Sequence, residues 1–305
     1  MPLSGRLSDM VVPAGRCRPA TLTGINAHHH PFARAGKLAH NCACIFRCTI
    51  RSERIMSTTP VALVTGASGD IGGAIAKTLG RHGWHVIGTY VGAADAAAQT
   101  VAAIIDVGGS AEAIQLDQRD PAAIEAVIAN IDERYGRLDV LVNNAAWNIG
   151  IPFRHLDDLT ADIWDRVMET NLRAPFLLAR AAAKLLKAGD GGHIVNISSA
   201  GGISPGSSSI AYSSSKAGLN HLTRCLAVAM SPEVAVNCIA PGLVENTRMA
   251  ARLPDNVAQG ARQTAVLGRV GQAEDIANQT LAFVQSTSIT GQTMVIDGGM
   301  PGAMR

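Results

Sequence analysis

Aromatic residues and net charge are both scarce in this chain: three Trp, three Tyr and five Phe stand among 305 residues, and the formal charge at pH 7 is only +2. Without a strongly basic balance nothing draws the chain to a nucleic acid, and no stretch approaches the roughly 18 consecutive apolar residues of a membrane span. A soluble, cytoplasmic protein with neither kind of partner is expected. Cysteine is sparse too, six in all, and Cys42, Cys44 and Cys48 lack the paired C-x-x-C spacing of zinc modules, so no metal site is expected. Also missing is a Lys-Ser or Lys-Thr pair behind the glycines of "TGASGDIGG", because Gly73 and Ala74 follow Gly72; that argues against the phosphate loop of ATPases and GTPases.

What is present is unevenly placed. Residues 1–55 hold eight Lys or Arg against two acids, a balance of +6 that leaves −4 for the rest of the chain, together with Cys17, Cys42, Cys44, Cys48 and four of the nine histidines. The segment shows neither helical nor strand period, its apolar run "CACIF" is too short for a secretory core, and "MSTTPVALVTG" at Met56 reads as a natural start. Residues 1–56 are therefore expected to be a disordered extension or a misassigned start. A targeting peptide and a separate metal-binding module are the competing readings. Residues 57–305 are expected to form one catalytic domain.

From Val61 onward, short β-branched runs alternate with stretches of helical period. Strands are predicted at 61–65, 85–90, 111–116, 139–144, 193–198, 234–240 and 293–297. "DPAAIEAVIANIDERYG" carries an Asp cap and a Pro at the first helical position, and "DIWDRVMETNLRAPFLLARAAAKLLKAG" reads as one long helix ending at Gly189. Such alternation predicts an α/β fold with a doubly wound, seven-stranded parallel sheet and helices on both faces. Ligands of these sheets sit beyond the carboxyl ends of the strands, where Gly66, Asp117, Asn143, Ser199, Pro241 and Gly242 fall.

The turn that follows the first strand brings bare backbone N–H groups to a helix N-terminus, a place suited to a pyrophosphate. Further along, "AYSSSKAGL" sets Tyr212 and Lys216 four apart, on one face of the helix after the fifth strand. Ser199 lies thirteen residues upstream at a strand's carboxyl end, and Asn171 sits in an earlier helix able to pack alongside.

These motifs, in this order, resemble the short-chain dehydrogenase/reductase family over Ser57 to Arg305. "TGASGDIG" is similar to its cofactor loop, "NNAA" to its NNAG element, "TNLRAPF" to its catalytic Asn region, "IVNISS" with "YSSSK" to its Ser, Tyr and Lys, "VNCIAPG" to its Pro-Gly turn and "TGQTMVIDGG" to its last strand. The resemblance implies an NAD(P)-dependent oxidoreductase of a ketone or secondary alcohol, in the manner of 3-oxoacyl-acyl-carrier-protein reductases, with Asn171, Ser199, Tyr212 and Lys216 as the catalytic set. Tyr212 would act as general acid or base, its pKa lowered by the Lys216 ammonium. Lys216 would also bind the nicotinamide ribose, Ser199 the substrate oxygen, and Asn171 a relay water. At the cofactor the resemblance implies Gly66, Ser68, Ile71 and Gly72 at the phosphates, Asp117 at the adenine, Asn143 by the adenine ribose, and Pro241 and Gly242 beside the nicotinamide, with Gly69, Asp70, Tyr90, Gln118, Ala145 and Val244 as further cofactor-binding residues and Tyr212 and Lys216 again.

Tyr90 ends the second strand where NAD-using relatives place an acid, and Val91 and Gly92 follow it; NADP(H) is therefore expected over NAD(H). Asp70 stands where the family usually has glycine and is expected to point outward in a first helical turn that favours an acid. Asn246 stands where the family often has a carboxamide-contacting Thr. "FVQSTSITG" is shorter than the usual connection before the last strand. The segment Pro241 to Gly271 is expected to act as a lid, with Trp147, Ile149, Ile151 and Met249 as candidates to line an apolar pocket. The family commonly forms tetramers, so a homo-oligomer, tetramer or dimer, is expected around a small-molecule carbonyl or alcohol substrate. The rival reading is a nucleotide-sensing protein that kept the fold and lost the chemistry; retention of all four catalytic residue types argues against it.

Overall fold

The structure is a computed structural model that describes residues 58–189 and 191–302. The readings made for residues 1–56 lie outside the described residues. Each β-branched run becomes a strand: β1 Val61–Val64, β2 His85–Tyr90, β3 Ser110–Gln115, β4 Val140–Asn143, β5 Gly192–Ile197, β6 Val234–Pro241 and β7 Thr293–Ile296. All pair in parallel in the order β3-β2-β1-β4-β5-β6-β7. The order reverses between β1 and β4, and the crevice beyond their carboxyl ends is where a doubly wound sheet takes its ligand. β3 begins one residue earlier than its pattern suggests, because the register follows Ser110 opposite His85.

Between the strands run α1 Asp70–Arg81, α2 Ala94–Ile105, α3 Pro121–Tyr135, α4 Ala161–Met168, α5 Ala174–Leu186, α6 Ile210–Ala229, α7 Asp255–Thr264 and α8 Ala273–Val284. Two apolar layers result. On one face Ile75, Leu79, Ile104, Ile276 and Phe283 of α1, α2 and α8 cover the sheet. On the other, Ile124, Ile131, Leu178, Leu186 and Leu226 of α3, α5 and α6 do the same. Local sequence explains the ends of α3: the Asp120 carboxylate accepts the Ala122 N–H, Pro121 needs no donor at the first position, and Gly136 closes the helix in the left-handed region at φ +66°.

The long helix expected to run to Gly189 is not uniform. Residues Glu169–Arg173 form a π-helical segment between α4 and α5. That one-turn widening rotates α5 about its axis relative to α4, and it sits where Asn171 is buried. Among the described residues no helix is long and apolar enough to cross a membrane, and no group of His, Cys, Asp and Glu is placed to hold a metal ion.

Candidate active site

The turn after β1 is built by close approach. Gly66 takes φ +68°, which costs glycine nothing. A Cβ on Gly72 would stand 2.3 Å from the Gly66 carbonyl oxygen and 2.5 Å from the Asn144 amide nitrogen. Asn144 holds the other side, donating from Nδ2 to the carbonyls of Thr65 at 2.9 Å and Gly66 at 3.3 Å. Thr65 Oγ1 in turn accepts the N–H groups of Asn144 and Ala145. The result is a preformed glycine cradle that opens onto the N-terminus of α1, where Ser68, Gly69 and Ile71 surround the first turn. This fits a phosphate-bearing cofactor.

Asp70 does not simply point outward. Its Oδ2 accepts the main-chain N–H of Arg248 at 2.8 Å and lies 3.5 Å from Arg248 Nε, while Arg248 Nη2 donates to the Ser68 carbonyl at 2.8 Å. The expectation is corrected: Asp70 is tied to the segment after β6. No local pattern in the sequence announces a pair 178 residues apart.

Further along the same edge, Asp117 is held by a two-pronged ion pair with Arg119, at 2.6 Å for the closest contact, and this guanidinium holds its carboxyl below the usual carboxylate range. Gln118 is buried and donates to the carbonyls of Ala145 at 3.1 Å and Thr170 at 2.8 Å, joining the loop after β4 to the π-helical segment. Asn143 begins a row of buried polar side chains: its Nδ2 donates to Asn196 Oδ1 at 2.8 Å, Asn196 Nδ2 donates to Thr223 Oγ1 at 2.9 Å, and Thr223 Oγ1 donates to the Leu219 carbonyl. Asn143 Oδ1 is buried with no partner. Tyr90 ends β2 half-buried, its carbonyl accepting the Leu116 N–H.

The four residues of the expected catalytic set gather around the carboxyl end of β5 and the loop after β4. Ser209 caps α6 by accepting the Tyr212 N–H at 3.2 Å, which places Tyr212 in the first turn and Lys216 one turn below it. Both side chains are buried. Lys216 Nζ lies 5.6 Å from the centre of the Tyr212 ring and donates to the Ile197 carbonyl at 2.7 Å. Ser199 accepts the Gly201 N–H at 3.1 Å, and its hydroxyl neighbours that of Tyr212. Asn171 commits its side chain to both the N–H and the carbonyl of Trp147, at 2.8 and 2.9 Å, and to Ser215 Oγ at 3.2 Å. That amide is a clamp between the loop after β4 and α6.

The electrostatics overturn one expectation. Burial pushes the Tyr212 hydroxyl up to about 12, with the Ser199 hydrogen bond pulling weakly the other way, and burial pulls Lys216 down to about 8. Loss of water around both groups disfavours each charged form, and at Tyr212 this outweighs what a neighbouring ammonium was expected to do. Tyr212 is thus held protonated here.

At the nicotinamide end, Pro241 closes β6, and a Cβ on Gly242 would meet the Asp297 side chain at 2.6 Å. Val244 is buried and bridges to Gly271, closing the base of the expected lid. Asn246 is the sole non-glycine residue with positive φ among the described residues, at +57°, and its amide turns to Gln272. Thr247 is the buried residue instead, its Oγ1 donating to the Val244 carbonyl at 2.8 Å. Of the apolar candidates, Ile151 is buried and Met249 is exposed with its sulfur against Asn148 Nδ2; the Trp147 ring is covered by the Arg166 guanidinium at 4.3 Å.

Residues 66–301 match the family model described as enoyl-(acyl carrier protein) reductase. The chain is 35% identical over 243 residues to the 3-oxoacyl-(acyl-carrier-protein) reductase FabG of Escherichia coli strain K12, covering 79% of this chain and 96% of that protein. A solved structure of an actinorhodin polyketide ketoreductase variant with NADPH superposes at TM-score 0.73 and 31% identity, covering 79% of this chain and 97% of the other. A variant of the Serratia marcescens short-chain dehydrogenase/reductase superposes at TM-score 0.72 and 34% identity, with 79% and 97% covered. The ordered motifs, the 3-2-1-4-5-6-7 sheet and these likenesses together show that the chain belongs to the short-chain dehydrogenase/reductase family.

Proposed function

We propose that the chain is an NAD(P)-dependent oxidoreductase that reduces a ketone, with Tyr212 as the proton donor. The observation that carries the reading is the grouping of half-buried Ser199 with buried Tyr212 and Lys216 at the sheet's carboxyl edge. When bound, the nicotinamide supplies a hydride to the carbonyl carbon. The protein's part is the proton and the geometry. Tyr212, kept protonated by its burial, gives its hydroxyl proton to the carbonyl oxygen, and Ser199 holds that oxygen by a hydrogen bond. Lys216 sits where it can take a ribose hydroxyl and steady the tyrosinate left after transfer. Asn171 fixes the loop after β4 against α6, so that the floor of the site stays in register.

The residues that would hold the cofactor are Gly66, Ser68, Gly69, Ile71 and Gly72 at its phosphates, Asp117, Gln118, Asn143 and Ala145 toward its adenosine, and Pro241, Gly242 and Val244 toward the nicotinamide, whereas the Asp70 carboxylate is taken up by Arg248. NADP(H) is favoured, since Tyr90 supplies no carboxylate to repel a 2′-phosphate. Initial rates with both cofactors should give kcat/KM about tenfold higher with NADPH, about 1.4 kcal/mol, and Tyr90→Asp should move the ratio toward NADH. A preference of the unaltered chain for NADH overturns this reading.

The names of the relatives support a 3-oxoacyl thioester or another small ketone as the substrate. A rate screen over β-ketoacyl thioesters, simple ketones, sugars and pterins tests it, and turnover of none of them counts against the assignment. Residues 57–305 are taken as the catalytic domain. Assembly into a dimer or tetramer is supported by a groove of about 650 Å³ where Met168, Leu172, Phe176 and Leu222 of the α4, α5 and α6 region line an apolar face between Asp165, Glu169 and Arg173. Sedimentation that shows only a monomer would refute it.

A further inference from the structure

The contact between Arg248 and the glycine turn goes beyond anything the reaction itself requires. Arg248 lies in the lid, six residues past Gly242, yet its guanidinium crosses the mouth of the cradle: Nη2 bonds the Ser68 carbonyl at 2.8 Å and stands 3.7 Å from where a Cβ on Gly69 would be. This is the positive end of α1, a poor place for a cation. One carboxylate offsets it. Asp70 Oδ2 takes the Arg248 N–H at 2.8 Å and the Nε at 3.5 Å. The Arg248 side chain is still more than half exposed. A guanidinium, a row of helix N–H donors and one acid at a preformed glycine cradle together leave an excess of donors facing one small volume. The group that satisfies such a volume is a phosphate, gripped by the guanidinium in two-pronged fashion.

We propose that Arg248 is a cofactor-phosphate ligand carried on the lid, and that Asp70 parks it over the cradle until a phosphate of the cofactor takes Asp70's place. On this view the lid closes by the same contact that recognises the phosphate. The inference rests on the nicotinamide-cofactor reading above, and it deepens it by naming a residue outside the glycine turn that senses the cofactor's charge. Gly69 and Gly92, the positions nearest the turn and the end of β2, carry no side chain for the task.

The test is direct binding, read by titration calorimetry with NADPH, NADH and adenosine, on the full chain and on Arg248→Gln. The expected result is a loss of roughly tenfold in affinity for the phosphate-bearing ligands, on the scale of one charge-assisted contact, with adenosine unchanged. A larger loss for NADPH than for NADH identifies the 2′-phosphate as the partner, and equal losses identify the pyrophosphate. A second readout needs no ligand chemistry: trypsin should cut after Arg248 in the free protein, NADPH should protect that bond, and Asp70→Asn should speed the cut without weakening NADPH. If Arg248→Gln binds both cofactors as the unaltered chain does, or if Asp70→Asn weakens NADPH as much as Arg248→Gln does, the pair is a fixed clasp and the proposal is wrong. If the unaltered chain binds neither cofactor, both this proposal and the function it rests on fall.

Discussion

Replacing Lys216 with Met should separate stability from activity in a pH-dependent way. Lys216 is buried, its pKa is pulled from 10.5 to about 8, and the cause is desolvation. That depression of two to three units corresponds to about 3 kcal/mol at ~1.36 kcal/mol per unit, a cost that the folded state bears while the ammonium is charged. Below pH 8 the side chain is protonated in both states and the full cost is present. Between pH 8 and 10.5 the unfolded chain binds more protons than the folded one, so this residue makes stability rise with pH; above 10.5 it is neutral in both and the cost is gone. Met removes the cost but orphans the Ile197 carbonyl that Lys216 Nζ reaches at 2.7 Å, about 1–3 kcal/mol. At pH 6 the variant should therefore match or exceed the unaltered chain in stability, and at pH 10 it should be the weaker of the two. Tyr212, pushed up to about 12, stays protonated from pH 6 to 10 in both proteins, and Cys238, pushed up to about 11 by burial with the Lys216 charge acting against it, titrates mainly above that range. Urea unfolding followed by circular dichroism at half-unit steps from pH 6 to 10 measures that difference. Curves that stay parallel across the range would show that Lys216 is not desolvated and that the reasoning is wrong. Turnover should be lost throughout, which would make Lys216 a residue kept for function at a cost to the fold.

Tyr212→Phe should leave the melting temperature and cofactor affinity nearly unchanged while lowering turnover by roughly 10²-fold or more, the scale of a lost general acid; near-normal steady-state rates would remove Tyr212 from the mechanism. Gly72→Ala forces a methyl onto the Gly66 carbonyl and the Asn144 amide, so it should destabilise by about 1–3 kcal/mol and abolish cofactor binding, checked by thermal melts and calorimetry. A chain beginning at Met56 should fold and reduce substrate as the full chain does, with aggregation or a large drop in melting temperature as the contrary result.

The parts of this protein that rest on local rules are legible in its sequence. β-branched runs set seven strands, and Asp120, Pro121 and Gly136 set the ends of α3. Strand ends then place Ser199, Asn143 and Pro241 on one edge because a parallel sheet leaves no other choice. Features that depend on distant partners are not legible. The Glu169–Arg173 segment differs from an α-helix by the bonding of one turn, which apolar spacing over "METNLRAPF" does not resolve. The Asp70–Arg248 contact joins residues that no period relates. Position in the chain assigns Asn246 to the carboxamide; its left-handed backbone turns its amide toward Gln272 and leaves Thr247 buried in its stead. The Tyr212 shift runs opposite to expectation, because charge proximity is visible in spacing and desolvation is not.

The row from Asn143 through Asn196 to Thr223 has a polarity of its own. Each member donates to the next, toward the Leu219 carbonyl, so the row runs one way across β4, β5 and α6. Its unfilled end is Asn143 Oδ1, a lone acceptor. Turning either amide over would set donor against donor or acceptor against acceptor inside the core, where each such mismatch costs about 1–3 kcal/mol. The row therefore behaves as a one-way filter written in hydrogen bonds: what completes it must bring a proton, as a sugar hydroxyl does, and a bare phosphate or carbonyl oxygen meets only repulsion there.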